Sequence, residues 1–435
     1  MNTITEILMI KVGMVSLGCE KNKIDAEVML ANLKNSGYEL CAEPEQCDVI
    51  IVNTCTFIGP AKEEAIAEIL NAAEYKNGNL KKLIVTGCMA ERYKSEIMKE
   101  MPEVDAILGA KSFDKLTDAI NSPGKYEYYR ELDENTPEGE RILTSGISSV
   151  YVKVADGCSN HCSYCVIPLV RGEFIPKTYE NVINEIKTLC SGGAKEINLI
   201  AQDTTRFPDL CRVIKETCKL PTVKWVRVLY CRPEGISDEL LDLMASEDKF
   251  VGYIDMPLQH ASKNVLKMMN RPSDDEKLLT LIEKIRKKVP GVSLRTTFIV
   301  GFPHESEEDF ETLCNFIKAA KFDNLGVFTY SREEGTKAAA MHGQIDEQVK
   351  RERADVVMTL QSRLLEEINK KHLGKTYDVL CEGEKQGQLF GRAYFQAPDV
   401  DGRVLFSANR DIVGGEFVKV KINAVDGYDL LGEAL

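Results

Sequence analysis

No stretch of the 435-residue chain approaches the roughly 20 consecutive apolar residues that a membrane helix requires. The first fifteen residues, MNTITEILMIKVGMV, lack the basic start, long apolar run and small-residue cleavage site of a secretory signal. A bilayer span and export are therefore not expected, and a cytoplasmic location is. A cationic excess is missing as well: 55 Lys and Arg against 68 Asp and Glu leave a formal charge of -13. Phosphate contacts are made largely by Lys and Arg, so this balance argues against a general polyanion binder and suits a basic protein partner. Low-complexity tracts are absent, and the only internal regularity is an alternation of strand-like and helix-like segments.

That alternation divides the chain, whose length allows about two to four domains. Over residues 1–120 the apolar runs VGMVSLG, DVIIVNT, KLIVTG and VDAILG are separated by helical patterns such as NKIDAEVMLANLKNSGY, which predicts an open, doubly wound α/β domain. Residues 121–147 carry Pro, Gly and charge without apolar periodicity and read as a linker. From 148 to 343 six strand-like runs, SSVYVKVA, EINLIAQD, WVRVLY, YIDMPLQ, SLRTTFIVGF and NLGVFTYS, predict a partial (βα)6 barrel. Active sites of such barrels gather at the C-terminal ends of the strands. Residues 344–373 form a charged connecting helix, and 374–435 switch to short alternating runs that predict a small all-β barrel of about OB-fold size.

Fourteen cysteines in a reducing compartment point to metal ligation or chemistry before disulfides. The segment CSNHCSYC spaces Cys158, Cys162 and Cys165 as C-x3-C-x2-C directly after a predicted strand. Three thiolates can hold three irons of a 4Fe-4S cluster and leave the fourth open. A zinc knuckle is the alternative, but structural zinc takes four ligands and His161 lies at too short a spacing. Tyr164, inside this array, is able either to pack on an adenine or simply to fill the barrel mouth. Cys19, Cys55 and Cys88, in SLGC, VNTC and VTGC, each fall at or just past a strand end in the first domain. Ligands of open α/β sheets bind in that crevice. One such cysteine would read as packing; three in register read as a second ligand set. The other eight share no spacing. His260, in MPLQH, either faces the site or is satisfied locally. Ile299 and Gly301, in TTFIVGFP, are strand-end core residues or the floor of an adenine pocket, and Gly192 and Gly193 form a helix stop.

The segments SLGCEKNKIDAE, NTCTFI, VTGCMAERY, ADGCSNHCSYCVIPLVRG, LIAQDTT, MPLQHAS, LRTTFIVGFP and YSREEGT together resemble the methylthiotransferase family of radical S-adenosylmethionine (SAM) enzymes, and the last sixty residues resemble a TRAM domain. The resemblance spans nearly the whole chain. It implies two 4Fe-4S clusters, one on each cysteine set, and SAM as both radical source and methyl donor. It also implies a backbone approach of Gly193 to the SAM amino group, an electron donor protein and a sulfur donor. SLGCEKN and IAQDTT resemble the branch that modifies the β carbon of an aspartate in the twelfth protein of the small ribosomal subunit. The rival readings are a tRNA adenosine methylthiotransferase and a non-catalytic iron-sulfur protein. Two positions depart from the pattern: His304 stands where Gly is expected, and GGA at 192–194 replaces GGE. From 374 to 435, four Lys and three Arg stand against six Asp and four Glu, a balance of -3 that favours a basic ribosomal protein over tRNA.

Overall fold

A computed structural model describes residues 9–435. The first domain is a six-stranded parallel sheet in the spatial order Glu39–Leu40, Lys11–Ser16, Val49–Thr54, Lys82–Gly87, Ala106–Leu108, Tyr126–Tyr128. Its central strands are apolar on both faces, because both are covered. Ile50, Val52 and Val85 pack on Ala65 and Ile69 of helix Gly59–Glu74, while Val49, Ile51 and Ile84 pack on Ala26, Met29 and Leu33 of helix Glu20–Asn35. Strand order reverses between Lys11–Ser16 and Val49–Thr54, and ligands of such sheets bind at that switch point.

The segment 121–147 is more than a linker. Tyr126–Tyr128 adds the sixth strand, and its two Tyr rings pack on the core below. Farther along, the partly buried Arg141 pairs with Glu27 at 2.6 Å and Glu185 at 2.6 Å. A three-residue edge strand is too short to reveal its alternation in sequence.

The second sheet places Ser149–Lys153, Glu196–Ile200, Trp225–Val228, Phe250–Asp255, Ser293–Val300 and Asn324–Thr329 side by side in chain order, all parallel. Helices cover its outer face, several begun by capping side chains: Thr178, Ser237, Asp274, and Ser306 in a reciprocal box with Asp309. Helix Glu347–Asn369 adds Val357 to the same core. Among the described residues no helix is long and apolar enough to cross a membrane.

The inner face of this partial barrel is closed from below by the terminal domain, a closed five-stranded barrel of Thr376–Lys385, Gln388–Ala393, Val404–Ser407, Asp429–Ala434 and Phe417–Asp426. Tyr151, Trp225 and Tyr253 pack against Leu380, Ala397 and Phe417. The single tryptophan, Trp225, meets the Phe417 ring edge-on at 4.7 Å. Arg392 of the terminal barrel donates to Glu196 Oε2 at 2.6 Å, and Arg227 donates to Oε1 at 3.0 Å, all three side chains being buried. Deleting residues 374–435 would therefore leave a buried charge cluster open, so it tests folding as much as recognition.

Burial works against the Glu196 charge, but Arg392 and Arg227 hold its carboxyl down to about 2. A carboxylate with a depressed pKa stabilises above its unfolded value, about 4.3, and loses that contribution as pH falls through the folded value. Docking of the terminal barrel is thus expected to weaken between about pH 4.3 and pH 2. Trp225 emission followed through an acid titration checks this: the wild type should lose its buried-tryptophan signal across that window, and Glu196→Gln should flatten this part of the curve. Identical curves for the two proteins would contradict it.

Candidate active site at the domain seam

Both cysteine sets sit at C-terminal strand ends. Cys19 caps helix Glu20–Asn35, Cys55 follows strand Val49–Thr54, and Cys88 opens helix Cys88–Tyr93 after strand Lys82–Gly87. Gly18, at φ +88°, explains the glycine in SLGC: a Cβ there would lie 2.8 Å from the Cys55 sulfur. Burial pushes the Cys55 thiol up to about 12, and the neighbouring Cys88 and Cys19 thiols add to the rise, as three sulfurs brought together must. Burial also raises Cys88, opposed by the Arg171 guanidinium.

The second set lies in the loop after strands Ser149–Lys153 and Ala155–Asp156. N–H groups meet all three sulfurs: Asn160 Nδ2 donates to Cys158 at 3.3 Å, Arg232 Nη1 to Cys162 at 3.4 Å, and the Ile167 amide to Cys165 at 3.5 Å. Asn160 is itself held by Asp203 at 2.8 Å, and Arg271 by the Pro257 carbonyl at 2.8 Å with its guanidinium 3.9 Å from Cys162. Burial pushes the Cys165 thiol up to about 12 and also raises Cys158. A buried thiol in this state gives up its proton when a metal takes its place. Among the described residues no three His, Cys, Asp or Glu side chains converge on a single ion. A four-iron cluster instead spreads three thiolates over three irons, and N–H donors aimed at the sulfurs suit that donor set.

A buried polar seam joins the two sets. Arg171, five residues beyond the second array's last neighbour Val166, donates to Asp25 at 2.6 Å, Asp156 at 3.2 Å, Asn22 at 3.0 Å and the Cys88 sulfur at 3.3 Å. Lys153 bonds to Asp25 and approaches Asp156 at 3.4 Å, while Thr136 and Gln202 donate to Asp156 at 2.7 and 3.1 Å. Sequence reasoning missed this network, along with Asn160, Asp203, Arg232 and Arg271. The available signal was charge within otherwise apolar runs, such as Lys153 in SSVYVKVA and Arg171 in CVIPLVRG.

The remaining expected site residues divide. Tyr164 and Ile299 pack together on a small apolar cluster of Val265, Met269, Phe302 and Tyr330 beside the second array. Gly301 follows the same strand at φ +74°, but the space where its Cβ would stand is filled by Lys350 methylenes from the connecting helix, 2.2 Å away. Its hydrogen side thus faces that helix. Gly193 is a correction. It lies between helix Tyr179–Ser191 and strand Glu196–Ile200, at the N-terminal end of the barrel, with Ile147 beside it. The cysteines occupy the opposite end of the sheet, so Gly193 is a helix stop and cannot meet a ligand bound there. His260 is buried and only half satisfied: Nδ1 accepts from the Ser262 amide at 3.0 Å, while Nε2, 3.6 Å from Glu305, has no hydrogen-bond partner among the described residues. A cavity of about 580 Å³ lined by Gly13, Cys41, Cys47, Glu68 and Tyr75 touches neither cysteine set.

A partial parallel barrel with a three-cysteine loop at its C-terminal mouth defines the radical SAM class, and residues 152–317 match the Radical SAM superfamily. That class works with SAM and a 4Fe-4S cluster. Residues 11–109 match the Uncharacterized protein family UPF0004, and residues 373–435 match the TRAM domain. The relative from Clostridium acetobutylicum named ribosomal protein uS12 methylthiotransferase RimO is 45% identical, covering 97% of this chain and 98% of its own. One of the same name from Clostridium botulinum is 46% identical, covering 97% of each. The chain belongs to the RimO family of methylthiotransferases. Among solved structures, the radical SAM methyltransferase TsrM from Kitasatospora setae, with cobalamin and a 4Fe-4S cluster bound, is 14% identical at a TM-score of 0.56, covering 76% of both chains, a likeness of fold alone.

Proposed function

We propose that this chain replaces a hydrogen on the β carbon of an aspartate in ribosomal protein uS12 with a methylthio group, in the cytoplasm. One observation carries the reading: two three-cysteine sets bordering one buried seam, in a chain 45% identical over nearly its full length to proteins named for this reaction. When bound, a 4Fe-4S cluster at Cys158, Cys162 and Cys165 would supply the electron that cleaves SAM, and a second at Cys19, Cys55 and Cys88 would offer an open iron to the transferred sulfur. The chain's own residues do the positioning. Asn160, Arg232 and the Ile167 amide orient the sulfurs of one set, while Arg171 ties Cys88 to the barrel and keeps the seam closed. Tyr164 and Ile299 offer an apolar wall for the adenine of SAM, which serves as radical source and as methyl donor. Electrons and sulfur come from outside, from an electron donor protein and a sulfur donor.

The terminal barrel supports a basic protein substrate over tRNA. Its formal balance is -3, and one of its three arginines, Arg392, is consumed by Glu196. Mass spectrometry of uS12 and of tRNA from cells with and without this gene tests the assignment. The ribosomal protein from the deletion strain is expected to carry hydrogen in place of the methylthio group and to be lighter by the difference of the two, with tRNA methylthiolation unchanged. The reverse pattern would move the chain to the tRNA-modifying branch.

A further inference from the structure

Lys21 lies in the first turn of helix Glu20–Asn35, two residues past Cys19, and is only 6% exposed. Its ammonium stands 3.2 Å from the centre of the Tyr230 ring, and among the described residues it has no hydrogen-bond or ion-pair partner. Every other buried Lys or Arg among them donates to a carboxylate or a carbonyl: Lys111 to Leu132, Lys153 to Asp25, Arg171 to Asp25, Arg227 to Glu196, Arg271 to Pro257, Lys350 to Tyr330, Arg353 to Glu305 and Arg392 to Glu196. An ammonium largely withdrawn from water without an anion is costly, and one aromatic face recovers only part of that cost. Tyr230 is held in place for this contact. Its backbone sits at φ +61°, unfavourable for an aromatic residue, with its amide donating to Asp255 at 3.0 Å and its carbonyl accepting from Thr204 at 3.1 Å.

We infer that Lys21 binds a carboxylate, that of the substrate aspartate, at the seam between the two cysteine sets. The inference rests on the proposed function and adds to it the group that recognises the reacting side chain. In an aspartate the carboxylate is bonded directly to the β carbon, so a cation holding the one fixes the other beside Cys19. SAM also carries a carboxylate, but the cations beside the second array, Arg232 and Arg271, stand near Cys162 on the barrel side, whereas Lys21 belongs to the first-domain side.

The test uses the reconstituted full-length enzyme and isolated uS12, with its target aspartate kept or replaced by asparagine, and measures the affinity for each form and for SAM. The wild type is expected to prefer the aspartate form roughly tenfold to a hundredfold, as for a charge-assisted hydrogen bond. Lys21→Met should erase that preference by weakening only the aspartate form, with SAM affinity unchanged, and Lys21→Arg should retain most of it. A Lys21→Met protein that binds both forms equally worse has a structural lysine, and one that keeps the preference has an irrelevant one; either result overturns the inference. A loss of SAM affinity with the preference kept would assign the site to the SAM carboxylate and overturn it too. If the wild type neither binds nor modifies either form while tRNA is modified, the proposed function fails first and this inference falls with it.

Discussion

Replacing Cys55 by Ala is expected to abolish methylthio transfer while deoxyadenosine continues to form from SAM. Cys55 belongs to the first-domain set, packed against Gly18 and close enough to Cys88 and Cys19 that those thiols raise its own pKa. The groups around the second set, Asn160, Arg232 and the Ile167 amide, come from the barrel alone. Losing Cys55 therefore removes one of three anchors on the sulfur side and leaves the SAM side whole. Chromatography of deoxyadenosine alongside mass spectrometry of uS12 separates the two activities. Full methylthio transfer by Cys55→Ala would mean that Cys19, Cys55 and Cys88 are packing residues.

Arg171→Met should be the most damaging substitution outside the cysteines, destabilising the seam by about 3–5 kcal/mol, as expected when one partner leaves a buried charge network. Asp25 and Asp156 would then share only Lys153. Burial opposes the Asp156 charge, yet Lys153 and Arg171 hold its carboxyl well below the ordinary range. Such a carboxylate stabilises above its unfolded pKa of about 3.9 and loses that contribution as the solution is acidified below it. With Arg171 gone the folded pKa rises toward the unfolded one, so the acid-labile part of the stability shrinks and its loss is confined nearer pH 4. Urea unfolding followed at neutral and acid pH measures both effects. A change below about 1 kcal/mol, the scale of a surface pair, would show that the network carries little.

The strand-end placement of the six cysteines was legible because it is local: each lies at the end of a recognisable strand run, and the spacing of CSNHCSYC is unbroken. The three-part architecture was legible for the same reason, since parallel strands read as apolar runs and the terminal barrel as short alternating ones. Arg171 was not, because its partners Asn22, Asp25 and Cys88 lie between 83 and 149 residues away in the chain. Gly193 was misassigned by residue type. In a parallel barrel every helix-to-strand turn lies at the N-terminal end, and a glycine pair preceding strand Glu196–Ile200 falls there whatever motif it resembles. The edge strand Tyr126–Tyr128 was lost in the charge around it, and Lys21 looked like an ordinary helix-start lysine until its lack of an anion became visible.

The central claim is that six cysteines form two separate three-thiolate sites with different tasks, and iron content measured together with SAM cleavage tests it most directly. The reconstituted wild type is expected to hold about eight irons, two four-iron clusters. The variant with Cys158, Cys162 and Cys165 all replaced by Ala should hold about four and form no deoxyadenosine. A wild type that saturates at about four irons, or a triple variant that still cleaves SAM, would contradict the account.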